Sequence, residues 1–182
     1  MSTISLIRTV PVLEQLLHTH REQLGRDFIP YRGHCYRVLN FCATLTPDPE
    51  SSLHRIAIAA AFHDIGIWTH RTFDYLNPSI QAARDYLVAT REEHLIDEVQ
   101  AMIANHHRIR PACDAAGSLV EPFRRADWAD VTGGLLAYGI PHQMVRASYA
   151  MWPDAGFHRK LVQLSWSRFK VHPLSPLPML KF

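Results

Sequence analysis

His63 and Asp64 stand side by side where the apolar run AAAF gives way to Ile65-Gly66. Two adjacent ionisable side chains at the end of a buried segment are costly unless something pairs with them. A divalent cation offsets that cost directly. An imidazole nitrogen beside a carboxylate oxygen makes a mixed N/O site suited to Mn, Fe, Ni, Co or Zn, and it admits Mg. Two more residues are out of place for a plain core. His34, in YRGHCYRV, lies on or beside the helical face marked by Val38 and Cys42. Asp127, in LVEPFRRADWADV, continues the run Val120, Phe123 and Val131 at spacings of three and four, which puts a carboxylate on a core-facing stripe. Singly, each has an ordinary explanation: a satisfied core imidazole, a cap on the turn after a helix, a partner for Arg124. Together, one metal held by His34, His63, Asp64 and Asp127 accounts for all of them.

The ordered set His34 … His63-Asp64 … Asp127 resembles the H…HD…D signature of the HD-domain superfamily of metal-dependent phosphohydrolases. The contexts YRGHCYRV, AAAFHDIG and FRRADWADV are similar to that family's motifs, and the resemblance covers roughly Tyr31 to Asp130. It implies a helical bundle that brings the four ligands to one cleft, a metal-activated water as nucleophile and a small phosphoester, such as a nucleotide, as substrate. In that chemistry the metal lowers the pKa of water and polarises a phosphoryl oxygen. Asp64 would orient or deprotonate the water.

His106-His107, in MIANHHRIRP, is the second feature. Similar pairs hold a second metal in two-metal HD proteins, including the HD-GYP type of cyclic-dinucleotide phosphodiesterase. This chain departs from that pattern. No GYP follows the HD pair, and of the histidines between it and the HH pair, neither His70 nor His94 is at the usual spacing. The HH pair therefore stands either as ligands of a second metal, as a phosphate-binding pair, or as imidazoles favoured at a helix C-terminus by the macrodipole. Phosphate also needs positive charge. Arg37, three residues after His34, and Arg124, three before Asp127, are the candidates for binding it beside the catalytic Asp64. Arg108, Arg110 and Arg125 read as solvated or structurally paired. Trp68, Phe73 and Tyr75 would wall the cleft, Tyr31 and Asp27 would approach it, and Asp130 would back a ligand. Two other functions fit the same ligands. One is a di-iron oxygenase resembling myo-inositol oxygenase and the organophosphonate oxygenases, with His106 as the discriminating ligand. The other is a non-catalytic metal-binding regulatory module.

The elements that must position these residues read as helices throughout, so the expected class is all-α. Thr9 caps a first helix with Pro11 in its first turn, ending at Gly25. Further helices are expected at about 31–45, 51–64, 79–90, 93–107, 119–132, 141–152 and 157–170. The third, built on IAIAAAF, is apolar on every face, and Gly66 is its expected C-terminal cap. The segment 67–78 reads as an irregular aromatic loop, 111–118 as a turn-rich link, and Gly133-Gly134 as a helix stop. One domain spanning 1–182 is expected, with its metal-binding core at about 31–130 and C-terminal helices and a proline-rich tail at 141–182.

Composition sets outer bounds. Twelve histidines are many for 182 residues. A net charge of +2 is too small to argue for a membrane partner or a nucleic-acid polymer. Three cysteines without a CxxC pair argue against a disulfide framework or thiolate zinc knuckle, and for a reducing, cytoplasmic setting. The N-terminus lacks a signal-peptide pattern, and no apolar run reaches the roughly 20 residues needed to span a bilayer.

Overall fold

A computed structural model describes residues 5–111, 117–173 and 178–180. The fold is all-α, with no β-strand among those residues. Helix α1 runs Pro11–Thr19, capped by Val10 rather than Thr9, with Pro11 at its first position. A break at His20 separates it from the single turn α2, Arg21–Leu24. Gly25, at φ +53°, then opens a three-ten turn to Asp27.

Helix α3 spans Phe28–Leu45. It begins three residues before the expected start because Pro30 falls in its first turn, where an absent N–H costs nothing. Helix α4 spans Pro49–Phe62, with Asp48 as its cap: Ser51 N–H donates to Asp48 Oδ1 at 3.2 Å. The chain continues without an extended break into α5, Gly66–Thr69. Gly66 is therefore no left-handed cap. A Cβ there would lie 2.6 Å from the Tyr75 carbonyl oxygen and 3.1 Å from Ser79 Oγ, so glycine is required by close approach. The Gly66 N–H donates to that same Ser79 hydroxyl.

Helices α6 (Leu76–Ala89), α7 (Ile96–Asn105), α8 (Val120–Val131), α9 (His142–Met151) and α10 (Phe157–Val171) complete the fold. Gly133 and Gly134 stop α8 as expected, both at positive φ, with Gly134 N–H donating to the Ala129 carbonyl at 2.7 Å. The 111–118 link lies largely outside the described residues. Of the proline-rich tail, Met179 is described and is buried.

Helices α3 and α4 form the centre. Helix α3 packs on α4, α8 and α9, and α4 on α1, α6 and α7. The alanine-rich sequence of α4 lets its neighbours approach closely on every side, and Ile56 through Phe62 are all buried. The junction that carries His63-Asp64 is therefore enclosed by other helices.

Candidate metal centre

Four elements bring the ionisable residues to one place. Helix α3 contributes His34, the junction after α4 contributes His63 and Asp64, the end of α7 contributes His106 and His107, and α8 contributes Asp127. His34, His63, His106 and Asp127 are wholly buried, and Asp64 nearly so. The His34 and His63 Nε2 atoms lie 2.8 Å apart. Asp127 Oδ1 is 3.5 Å from the first and 3.7 Å from the second. Asp64 Oδ2 is 3.8 Å from His34 Nε2 and 3.5 Å from His63 Nε2. One donor atom each from His34, His63 and Asp64 lie within 4.8 Å of one another, close enough to hold a metal ion, and Asp127 Oδ1 stands beside the two imidazoles.

Each imidazole is aimed by its other nitrogen. His34 Nδ1–H donates to Asp130 Oδ2 at 2.6 Å, and His63 Nδ1–H donates to the Ala60 carbonyl at 2.9 Å. His106 Nδ1–H donates to the Ile103 carbonyl at 2.6 Å. With the proton on Nδ1, each Nε2 presents a lone pair inward. Two such lone pairs 2.8 Å apart repel unless a cation lies between them. A single proton could bridge that contact but leaves the rest unsolved. Among the described residues, Asp64 Oδ1, His106 Nε2 and both carboxylate oxygens of Asp127 are buried with no hydrogen-bond partner. Unpartnered buried polar atoms are rare and costly, and bound cations would satisfy them.

The electrostatics agree. Burial depresses His63 to a pKa of about 3, so it is a neutral imidazole, the form that ligates. Burial raises the Asp64 carboxyl, but positive charge on the His63 and His106 side would outweigh it and hold Asp64 well below its usual value, a role that falls to a cation when both imidazoles are neutral. Burial lifts Asp127 to about 7. Without a cation, Asp64 is the readier of the two to ionise, and Asp127 holds its proton below about pH 7.

A second group shares Asp64. One donor atom each from Asp64, His106 and His107 lie within 4.8 Å of one another. His106 Nε2 is 3.4 Å from Asp64 Oδ1, and His107 Nδ1 is 3.3 Å from Asp127 Oδ2. No histidine from the 67–100 segment joins them. His70 is exposed and bonded to the Thr69 hydroxyl, and His94 is exposed in the three-ten turn before α7. The buried Tyr75 approaches instead, its hydroxyl 2.7 Å from His107 Nε2.

The arginines are placed differently from the expectation that they bind phosphate. Arg37 is fully buried behind His34. Its Nε and Nη2 fork onto Asp130 at 2.5 and 2.9 Å, and its Nη1 donates to the Trp152 carbonyl at 2.9 Å. The Arg37–Asp130–His34 chain therefore orients the His34 imidazole from the side remote from its Nε2. Arg124 forks onto Glu121, one turn earlier on α8, and its Nη1 donates to the Arg108 carbonyl at 3.0 Å. Trp128 Nε1–H donates to that same carbonyl, so the two side chains pin the turn just after His107. Asp27 does not reach the centre either: it accepts from Trp68 Nε1–H at 3.0 Å and pairs with Lys160. Asp130 stands behind His34, and Tyr31 packs near both His34 and His63, with its hydroxyl donating to the Ala61 carbonyl. Phe157, at the start of α10, was not singled out from sequence. Its ring stacks on His34 at 4.1 Å and 18°. Nothing in a lone aromatic so far along the chain signals that contact.

The family model described as the HD domain matches residues 31–131, more than half of the chain. The chain belongs to the HD-domain family. That match ends with the last residue of α8, so it contains every residue of the two donor groups and leaves α9 and α10 outside it. No curated protein and no solved structure matches the chain. The family is that of metal-dependent hydrolases, which agrees with the buried His/Asp cluster of this HD domain. No helix among the described residues is long and apolar enough to cross a membrane.

Proposed function

We propose that this HD domain is a metal-dependent phosphohydrolase acting on a small phosphoester, such as a nucleotide, in a cytoplasmic setting. The observation that carries the reading is the convergence of His34, His63, Asp64 and Asp127 around buried polar atoms that have no hydrogen-bond partner among the described residues. These four side chains would hold the ion. When bound, a divalent cation supplies a Lewis acid that lowers the pKa of water and polarises a phosphoryl oxygen. The chain's own residues do the rest. Asp130 and the Ala60 carbonyl hold the two imidazoles in one tautomer and orientation. Asp64 stays ionised and offers its unpartnered Oδ1 as the group that orients the attacking water. His107 is the only one of these ligand candidates with appreciable side-chain exposure, at 14%, so substrate would approach from its side.

The group Asp64, His106 and His107 supports a second ion sharing Asp64. The absence of His70 and His94 from the centre leaves that ion few ligands. It also weighs against the di-iron oxygenase alternative, for which a histidine between Asp64 and His106 was expected. Elemental analysis of protein purified without added metal separates the readings. One Mn, Fe, Ni, Co, Zn or Mg per chain, or two, with phosphoesterase turnover and no oxygen consumption fits the hydrolase. Two irons, colour and oxygen consumption fit the oxygenase. Tight metal without turnover fits a regulatory module. His63→Ala and Asp64→Ala are expected to lose metal while retaining most helical circular dichroism; stoichiometric metal in both variants would overturn the ligand assignment.

A further inference from the structure

Helix α10 lies outside the HD match and presents an unusual surface. Its inner face, with Leu161 and Leu164, rests against the core, and Phe157 anchors its first turn on His34. Its outer face carries Val162, Trp166 and Phe169 at helical spacing, 68%, 57% and 44% exposed, followed by Val171 at 71%. The Trp166 and Phe169 rings stack on each other at 5.6 Å, in the open. Scattered single apolar residues on a surface need no explanation, but a contiguous aromatic stripe does.

Along the chain, charge from Ala155 onward has one sign, while Asp27 and Asp154 pair with Lys160 and His158 in the first turn of α10. From Ala155 to Phe182 the sequence holds five Lys or Arg and no Asp or Glu, leaving 14 of the 19 basic residues against all 17 acidic ones in residues 1–154. The modest net charge of the whole chain thus averages an acidic body and a basic C-terminal segment. Lys170 reaches over the Trp166 ring, its Nζ 5.6 Å from the centroid. Among the described residues, neither Arg159 nor Lys170 has a carboxylate within ion-pair distance; both sit beside the apolar stripe.

We infer that the outer face of α10 docks on an anionic lipid bilayer surface, with Trp166, Phe169 and Val162 entering the interface and Arg159 and Lys170 facing the headgroups. A helix with aromatic and aliphatic residues on one side and only basic charge beside them lies in the plane of such a surface, and anionic lipid attracts each basic residue. Long basic side chains reach headgroups while their stems cover apolar area. Two copies meeting α10 to α10 would oppose like charge. The inference stands apart from the hydrolase reading, because no α10 outer-face residue touches the donor groups.

Cosedimentation of the full chain with vesicles tests it. Binding to phosphatidylcholine vesicles containing phosphatidylserine is expected to exceed binding to pure phosphatidylcholine by at least about tenfold, and to weaken as salt rises. Trp166→Ala/Phe169→Ala and Arg159→Glu/Lys170→Glu should each lower it by about tenfold or more, with metal content and helical circular dichroism unchanged. Three results would overturn it: no vesicle binding by the folded wild-type chain, equal binding to neutral and anionic vesicles, or variants that bind vesicles like wild type. Loss in the variants of single-stranded oligonucleotide binding, or of self-association seen by sedimentation equilibrium, with vesicle binding intact, would assign the face to those partners instead.

Discussion

Replacing Asp130 by Asn tests how the centre is built, because Asp130 joins a metal-ligand candidate to a buried cation. It accepts from His34 Nδ1–H at 2.6 Å and from Arg37 at 2.5 and 2.9 Å, with no solvent access to any of the three. Asparagine keeps the volume and one acceptor oxygen but leaves the Arg37 guanidinium buried without a counter-charge. Breaking a buried pair by removing one partner costs about 3–5 kcal/mol, a large part of a typical domain's 5–15 kcal/mol or so. Losing the carboxylate behind His34 also weakens a metal site by about 10–100-fold. Arg37→Met removes the cation but leaves Asp130 bonded to His34, so it should cost similar stability with a smaller loss of metal affinity. In the double variant neither charge is stranded, and the combined cost should fall short of the sum by about 0.5–3 kcal/mol. Urea unfolding in the presence of a chelator reads the first quantity, and competition with a chromophoric chelator reads the second. Additive stability costs, or an Asp130→Asn protein that binds metal as tightly as wild type, would refute the claim that this chain of contacts orients His34.

Metal affinity should fall about tenfold per pH unit below about 7, because burial raises Asp127 to about 7 and its proton must leave before it can ligate. Titrations in buffers of different ionisation enthalpy would register the released proton, and an affinity flat from pH 5 to 7 would count against Asp127 as a ligand. Gly66→Ala should destabilise the protein by about 1–3 kcal/mol, since its Cβ would press on the Tyr75 carbonyl at 2.6 Å. Thermal unfolding with and without metal would measure that cost, and a neutral result would mean the α5–α6 contact yields easily.

Much of this molecule was legible as local pattern. The 3.6-residue periodicity marks α3, α4, α7 and α8 because an amphipathic or all-apolar helix is encoded within its own segment. The placing of His63-Asp64 at the end of IAIAAAF, and of Asp127 on the stripe with Phe123, follows from the same spacing. Helix edges moved by a few residues where a proline was free to sit in a first turn, as at Pro30 and Pro49. Gly66 was misread as a cap because its constraint comes from Tyr75 and Ser79, and from nothing in its own turn.

What sequence alone determines here is an all-α chain whose histidines and aspartates sit on core-facing positions, because which way a helical residue faces is set by residues three and four away. Which partners those side chains meet was decided only by tertiary packing. Arg37 and Arg124 could equally have faced a phosphate, and it was the arrival of Asp130 and Glu121 within hydrogen-bond reach that bound them internally. His70 and His94 were excluded, and Phe157 and Tyr75 admitted, by how distant helices pack. A long-range contact depends on the whole core, and no window of sequence contains it.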